Sequence, residues 1–303
     1  FMLGLEYSGA ELKQNLRSGL GGGAIDLLLN FPPGFIAGLI LGWNLVPALL
    51  LGGVTFISSS GIISRFLSEQ GRLSSPETPT VVSILVLEDL VMAVYLPLTA
   101  VLIAGETSRL FTTIGIAGLA LGVALFVAIR YGHAISVFLA HQSDEVILLT
   151  IFGSVLLVAG IAQKLHVSAA VGAFLVGIAI SSPIAEQSRR LLSPLRDLFA
   201  AIFFFFFGLE VDLRKVPQVL DVALALAAVT VLTKLLTGYL ATRGLKLPLR
   251  PRLRAGLTLV AHGEFSIVIA GLGVAIEPRL GTVCAAYVML MAILGPITAR
   301  IIH

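Results

Sequence analysis

The chain has 303 residues, of which 57% are apolar and 12% are charged, and its mean hydropathy is +1.01. Soluble domains carry about twice that share of charged residues, so the composition excludes an ordinary soluble domain. A net charge of +3 without a basic face excludes a nucleic-acid-binding surface, and the single cysteine, Cys284, excludes a disulfide framework.

The predicted elements begin with the tail of an apolar segment, FMLGLE, which indicates that earlier spans precede Phe1. After it, apolar runs long enough to cross a bilayer alternate with short charged or Pro/Gly-containing loops. We therefore predict an all-α polytopic membrane protein with about ten helices in this part of the chain. The predicted spans are 18–41, 45–67, 79–104, 111–131, 145–163, 167–183, 195–209, 217–242, 255–275 and 280–302.

Basic residues are distributed unequally between the loops on the two sides of these spans. Cytoplasmic loops carry an excess of Lys and Arg, so the more basic side is predicted to be cytoplasmic, and the C-terminus ends there. That side holds Lys13, Arg17, Arg65, Arg72, Arg130, Arg189, Arg190, Arg196, Arg243, Lys246, Arg250, Arg252, Arg254 and Arg300. The other side holds Arg109, Lys164, Arg214, Lys215 and Arg279.

The opening hexapeptide, FMLGLE at 1–6, returns 204 residues later as FFFGLE at 205–210. Each copy precedes a triplet of predicted spans. Because the two copies end on opposite sides of the membrane, the triplets are predicted to run in opposite directions, which is typical of secondary transporters. The predicted units are 1–104 (core helices 18–41, 45–67 and 79–104), a linking and scaffold segment at 105–204, and 205–303 (core helices 217–242, 255–275 and 280–302).

The middle span of each triplet contains residues that favour non-helical backbone: TFISSSG at 55–61 and AHGEFS at 261–266. Irregular backbone at membrane depth is tolerated only where it is buried in protein or lines a cavity. We therefore predict two broken helices that cross near the bilayer centre and help to bind an ion. Alternatively, the hydroxyls bond back to the preceding turn, and Glu264 caps a half-helix. The predicted supporting ligands are Thr55, Ser58, Ser59, Ser60 and Glu264.

Glu88 and Asp89 lie side by side in an apolar stretch, 80–104, that has no polar stripe. Two acids at membrane depth are expensive and indicate an ion or proton path. A carboxylate in a low-dielectric crevice has a raised pKa, so a proton and an alkali cation compete for it. Oxygens from the first break would complete a shell that suits Na⁺ or K⁺. Successive helix positions point about 100° apart, so one acid should face the ion and the other a partner.

Lys234 lies inside the 217–242 span, where an ammonium needs a carboxylate partner or must become neutral. The candidate partners are Glu88 and Asp89, and we favour Glu88 by analogy more than by physics. Asp26, in the first span, has two interpretations, a hydrogen-bonded structural acid or part of a proton route. His262 can titrate near neutral pH, but a single histidine at a helix break favours a structural role.

Together these motifs resemble the second cation/proton antiporter family, which includes Kef-type and Khtu-type potassium/proton exchangers and Nap-type sodium/proton exchangers. The resemblance rests on FxxGLE, the serine-rich break TFISSSGIISRFLSEQGRL, the acidic pair in VLEDLVMAVYLPL, FFFGLEVD, the mid-span lysine and HGEFS. It implies an inverted-repeat antiporter fold and a homodimer whose core, built from the two triplets, slides against a dimerisation scaffold in an elevator-like motion. It also implies a cytoplasmic nucleotide-binding regulatory domain or subunit after His303.

The same resemblance implies roles for three residues. Asp89 matches the family's essential ion-binding aspartate, and Lys234 matches the lysine that pairs with the first acid in Asp-Asp members. Glu88 occupies a position that is Gln in Kef-type members and Asn or Asp in Nap-type members, so this chain departs from both patterns. We therefore keep both K⁺ and Na⁺ as the ion bound by Asp89, with K⁺ favoured.

These observations predict a multi-pass antiporter of the bacterial inner membrane or plasma membrane that exchanges K⁺ or Na⁺ for H⁺ and uses no cofactor. A cation channel would use the same acids but needs no inverted repeat, and a cation-coupled symporter would need an organic solute site. An intramembrane enzyme is disfavoured, since the sequence has no paired Asp motifs, zinc-ligand spacing or Gly-x-Ser nucleophile with a partner His. The predicted partners are a second copy of the chain and the lipid bilayer, and not nucleic acid.

Overall fold

The computed structural model describes residues 1, 5, 9–105, 143–164, 184–210 and 213–301, with scattered positions within 112–137 and 172–180. These described residues form helices, turns and connecting loops, and contain no β-strand. The α-helices are α1 (Gly9–Ile40), α2 (Leu45–Phe56), α3 (Ser60–Glu69), α4 (Thr78–Ile103), α5 (Asp144–Lys164), α6 (Ile184–Glu210), α7 (Val216–Ala241), α8 (Leu249–Thr258), α9 (Glu264–Gly273) and α10 (Pro278–Ile301).

Six segments of the described chain are long and apolar enough to cross a bilayer. One of them contains both α2 and α3, so it is a span that is interrupted in its interior. The chain is therefore an all-helical membrane protein that crosses the bilayer several times. The six segments are Gly19–Ile40, Leu45–Leu67, Thr78–Ile103, Asp144–Lys164, Val216–Leu245 and Pro278–Arg300.

Several helices begin earlier than the hydropathy pattern predicted. α6 begins at Ile184, whereas the predicted span began at 195, and α8 begins at Leu249 rather than at 255. Both added stretches are rich in arginine, so their mean hydropathy is too low for them to be predicted as part of a span, although the backbone there is already helical. α1 likewise begins at Gly9 rather than at 18. The spans predicted at 111–131 and 167–183 lie largely outside the described residues, and the count of ten helices stays a prediction.

The chain divides into two compact units. The first unit contains Phe1–Gln14 and Val91–Gly208, and its apolar core includes Ile147, Ile151 and Ile184. The second unit contains Asn15–Leu90 and Leu209–His303. This second unit brings together α1 from Asn15 onward, α2, α3, the first half of α4, and α7 to α10, so it contains almost all of the two predicted triplets.

The second unit is built around its two interrupted spans. α9 packs against α2 and α10, and α7 packs against α8 and α10. One apolar cluster joins side chains of α3 and α4 to the α8 region, including Ile63, Ile84 and Leu259. Elements from both ends of the sequence therefore share one core, which holds the polar residues described next.

Candidate functional site

The first interruption lies between α2 and α3. α2 ends at Phe56 and α3 begins at Ser60, so Ile57, Ser58 and Ser59 lie outside regular helix. Ile57 adopts extended backbone with φ −78° and ψ 120°. All three side chains are buried. The predicted break is therefore present, and it exposes backbone donors and acceptors to the protein interior.

Glu88 of α4 binds the first break directly. Its Oε2 accepts a hydrogen bond from the Ser58 backbone N–H at 2.6 Å, and its Oε1 accepts one from Ser58 Oγ at 2.8 Å. Asp89, the next residue, is also buried. Because helix geometry separates adjacent side chains by about 100°, the two acids point in different directions, and the Glu88 carboxylate points to Ser58 of the broken helix.

The second interruption lies between α8 and α9. α8 ends at Thr258 and α9 begins at Glu264, which leaves the buried His262 in the irregular segment. The His262 ring nitrogens lie close to two carbonyl oxygens, with Nδ1 2.8 Å from Val260 O and Nε2 3.2 Å from Thr55 O. The ring also packs edge-on against Tyr287, with the centroids 5.3 Å apart. These contacts favour the structural interpretation of His262.

Direct hydrogen bonds join the two breaks. Backbone and hydroxyl groups of one broken helix bind carbonyl and carboxylate oxygens of the other, so the serines bind partners across the crossing as well as within their own helix. The bonds are Ser59 N to Ala261 O (2.8 Å), Ser58 Oγ to Leu259 O (3.0 Å), Ser59 Oγ to Glu264 Oε2 (3.1 Å) and Ser266 Oγ to Val54 O (3.1 Å).

The other predicted ligands have distinct surroundings. Thr55 Oγ1 lies 2.9 Å from Asn30 O, to which it donates, and 3.1 Å from Gly52 O in its own helix. Ser60 is buried at the first position of α3. Glu264 is the first residue of α9 and not its cap, since Gly263 holds the cap position. A carboxylate in the first turn is favoured by the helix dipole.

Lys234, in the middle of α7, is fully buried and ties together four segments. Its Nζ donates to Glu88 Oε1 at 2.9 Å, which is the contact that the sequence predicted. It also lies 2.9 Å and 3.1 Å from the two carboxylate oxygens of Asp26 on α1. A fourth acceptor, the Phe56 carbonyl at the end of α2, lies 2.9 Å away.

A second set of polar contacts surrounds Asp26. Asn30 Nδ2 donates to Asp26 Oδ1 at 2.9 Å, so this oxygen binds both an amide and the Lys234 ammonium. Asn30 is itself bound by two threonines of α7: Thr233 Oγ1 donates to Asn30 Oδ1 at 2.7 Å, and Asn30 Nδ2 lies 3.0 Å from Thr237 Oγ1. These contacts hold the Asp26 carboxylate in place against the ammonium.

The resulting cluster contains one cation between two carboxylates. Lys234 and Asp26 are 0% exposed and Glu88 is 1% exposed, so water does not screen their charges. Buried charges are costly unless they are paired and hydrogen-bonded, and every member here is. The contacts of Asp26 with Lys234 and with Asn30 were not predicted from the sequence. The available signal was that Asp26 and Asn30 lie four residues apart, on one face of an apolar helix.

Comparisons with known proteins show which transporters this chain is similar to. The family model described as sodium/hydrogen exchanger, transmembrane, matches residues 1–302. The K(+)/H(+) antiporter subunit KhtU of Bacillus subtilis is 35% identical over 306 residues, which cover 99% of this chain and 76% of the relative. The ammonium/H(+) antiporter subunit AmhT of Alkalihalophilus pseudofirmus is 30% identical over 279 residues, which cover 90% and 71%. K(+) efflux antiporter 6 of Arabidopsis thaliana is 27% identical over 282 residues, which cover 89% and 47%.

Proposed function

We propose that this chain, which belongs to the sodium/hydrogen exchanger transmembrane family, exchanges a monovalent cation for a proton, with K⁺ favoured and Na⁺ as the second candidate. The family is one of transporters and not of enzymes. The observation that carries the proposal is the buried acidic pair, Glu88 and Asp89, at a broken helix. The relatives' names, which specify K⁺/H⁺ and ammonium/H⁺ antiport, support the same reaction and the preference for K⁺.

In the proposed cycle, Asp89 carries either a proton or the cation, and never both. Binding of the cation expels the proton, and the empty, charged site does not cross the low-dielectric interior. The two ions must then move in opposite directions, driven by their own gradients and without a cofactor. Hydroxyl and carbonyl oxygens near Thr55 and Ser58 to Ser60 would complete the shell of a hard cation. Lys234 would serve as a fixed counter-charge beside Glu88.

The boundaries of the broken helices support the proposed inverted repeat. α2 begins at Leu45 and α8 at Leu249, which is a spacing of 204 residues. α3 (Ser60–Glu69) and α9 (Glu264–Gly273) have the same spacing at both ends. The spacing found between the two FxxGLE motifs therefore recurs at both interruptions, where each span changes from one half-helix to the next.

Close helix contacts repeat with the same spacing. A Cβ atom at Gly34 of α1 would collide with the Leu51 carbonyl of α2, and a Cβ atom at Gly238 of α7 would collide with backbone atoms of Ala255 and Gly256 of α8. Gly34 and Gly238 are 204 residues apart, and so are Leu51 and Ala255. The crossing of α1 with α2 thus corresponds to that of α7 with α8, as two related triplets require.

The proposal includes alternating access by an elevator-type motion of the core triplets within a homodimer. The division of the chain into two units, one of which contains nearly all of both triplets, is compatible with a moving core and a separate scaffold. The basic-loop asymmetry supports a cytoplasmic C-terminus, where a nucleotide-binding regulatory domain or subunit would act.

Exchange in proteoliposomes tests the function. The purified protein is reconstituted with a pH-sensitive dye inside the vesicles, and K⁺, Na⁺, Li⁺ or NH₄⁺ is added outside. We expect cation-dependent, saturable alkalinisation or acidification according to the imposed gradient. Asp89→Asn should abolish exchange with every cation while the protein remains folded by size-exclusion chromatography. Undiminished exchange by Asp89→Asn would reject Asp89 as the carrier.

The same vesicles separate the alternatives. A channel on this fold would give continuous conductance that persists when the pH gradient is removed, and a symporter would require an organic solute for cation movement. Antiport is expected to stop when the two ion gradients balance each other, at a ratio set by the stoichiometry. Measuring flux at several membrane potentials then gives the number of charges moved in each cycle.

A further inference from the structure

Lys234 contacts a second carboxylate, that of Asp26, in addition to Glu88. A simple ion pair of Lys234 with Glu88 does not require this second contact. Of the four oxygen atoms around the Lys234 ammonium, two belong to Asp26, one to Glu88 and one to Phe56. A lysine ammonium has three N–H donors, which these four acceptors share, and Asp26 is the residue that supplies two of the acceptors. Asp26 reaches the ammonium from α1, whereas Glu88 reaches it from α4.

The Asp26 carboxylate also has a hydrogen-bond partner other than the Lys234 ammonium. Asn30 donates to Asp26 Oδ1, and Thr233 donates to Asn30, so α1 and α7 are joined by a chain of hydrogen bonds beside the ion pair. All residues that take part in these hydrogen bonds belong to the second unit of the protein. A carboxylate supported in this way keeps its geometry when a neighbouring group changes its contacts.

We propose that Asp26 is a positioning residue that anchors Lys234 and offsets its charge, and thereby sets the affinity of the Glu88 and Asp89 region for the transported cation. With Asp26 present, the Lys234–Asp26 pair is neutral, and the charge of Glu88 still attracts a cation. Without Asp26, Lys234 would neutralise Glu88 instead. In a water-excluded site, one unit of charge changes binding strongly. This inference rests on the proposed exchange of a cation at Asp89.

The test uses the charge-removing variant Asp26→Asn, the charge-retaining variant Asp26→Glu and the compensated double variant Asp26→Asn/Lys234→Gln. We expect Asp26→Asn to raise the KM for K⁺ by about tenfold or more. Asp26→Glu should stay within about threefold of the unchanged protein. The double variant should have a lower KM than Asp26→Asn, whatever its maximal rate, because its net charge is restored. Where its exchange is too slow for a KM, its affinity for K⁺ is read as the rise in apparent melting temperature with added KCl.

A purely structural role for Asp26 gives a different pattern. Asp26→Asn would then lower the yield of folded protein or the apparent melting temperature and leave the KM for K⁺ unchanged. The double variant would be less stable than Asp26→Asn. That pattern overturns the inference. If Asp26→Asn does not fold, the double variant decides: a KM near that of the unchanged protein supports the inference, and a KM raised about tenfold rejects it.

Failure of the proposed function is recognised separately. If the unchanged protein shows no exchange with any cation, the antiport proposal fails, and K⁺ binding is then followed directly as the rise in apparent melting temperature with added KCl over choline chloride. Loss of this rise in Asp26→Asn together with its return in the double variant still supports the role of Asp26. An equal rise in all variants contradicts it.

Discussion

Two charged clusters of the second unit carry excess charge of opposite sign. In one, the Lys234 ammonium lies between the carboxylates of Asp26 and Glu88. In the other, the Glu77 carboxylate lies between two guanidinium groups: Arg254 binds it through two nitrogens at 2.6 Å and 3.0 Å, and Arg72 binds it at 3.2 Å. Both clusters join residues from the first and second triplets.

The difference in burial separates their roles. The three side chains of the first cluster, Lys234, Asp26 and Glu88, are at most 1% exposed, whereas Arg72 and Arg254 are 11% and 20% exposed around a buried Glu77. The excess negative charge of the first cluster has no solvent to screen it, so it favours a bound cation or proton. The excess positive charge of the second is partly hydrated. We infer that the Lys234 cluster serves transport and the Glu77 cluster serves stability.

Contacts at the helix ends reinforce the stabilising role of the second cluster. Arg72 Nη1 also donates to the Ala299 carbonyl in the last turn of α10 at 3.3 Å, and Thr78 Oγ1 donates to Arg72 O at 2.8 Å. Burial alone would raise the pKa of Glu77. Hydrogen bonds from Arg254, from the Glu77 backbone and from Arg72 lower this pKa by more, so it lies below its usual value. The ion pairs therefore persist at neutral pH.

The largest effect is expected from Lys234→Ala. Removing the ammonium leaves Asp26 and Glu88 buried together without a cation, which costs about 3–5 kcal/mol for a broken buried pair. We expect the apparent melting temperature in detergent to fall sharply and exchange to be lost. Arg243→Ala, which removes an exposed cation just after the same helix, is the matched control. A normal melting temperature and normal exchange in Lys234→Ala would contradict the role given to the Lys234 cluster.

Glu88→Gln should have a smaller effect on exchange than Asp89→Asn. The single oxygen of glutamine can still accept hydrogen bonds from Ser58 Oγ and Lys234, but its NH2 group cannot accept from the Ser58 N–H, and the side chain carries no charge. Residual exchange with an altered pH dependence or charge balance is therefore expected. The measurement is the rate of K⁺/H⁺ exchange at a series of pH values and membrane potentials. Complete loss of exchange in folded Glu88→Gln would give Glu88 the carrier role that we assign to Asp89.

Glu77→Gln should lower stability without changing affinity for the ion. Loss of the charged hydrogen bonds to Arg254 and Arg72 is expected to cost about 2 kcal/mol, read as a lower apparent melting temperature. The KM for K⁺ should stay within about twofold of the unchanged protein. Arg65→Ala, which breaks an exposed ion pair with Glu69, should leave the melting temperature unchanged. A large rise in KM for Glu77→Gln would remove the distinction between the clusters.

The smallest effect is a pH dependence of stability. Because the pKa of Glu77 is lower in the folded protein, its contribution is fully present above the unfolded value of about 4.3 and is lost as the pH falls through the folded value. The difference in melting temperature between the unchanged protein and Glu77→Gln should therefore be constant from about pH 5 to pH 8. It should narrow below about pH 4.3, and a difference that widens there would refute this assignment.

The membrane class and both interruptions could be predicted from sequence for physical reasons, as could the need of Lys234 for a carboxylate partner, whereas the choice of Glu88 over Asp89 was made by analogy. A serine run and the HGE sequence are conspicuous in apolar spans, and Lys234 is the one lysine inside a predicted span. The double role of Lys234 could not be predicted, because the faces of α1 and α7 that meet are decided by packing between residues far apart in sequence, such as Gly22 and Ala241. Hydropathy also missed the arginine-rich starts of α6 and α8, where helix continues beyond the apolar segment.

Asn30 and Lys234 are 204 residues apart, and both donate to the same oxygen, Asp26 Oδ1. On the proposed repeat they are counterparts, one from each half of a duplicated gene. On that proposal the two positions began as the same residue, and their side chains diverged after the duplication. One nucleotide change converts an asparagine codon into a lysine codon. The electrical asymmetry of this protein's interior was thus accessible to evolution in a single mutational step.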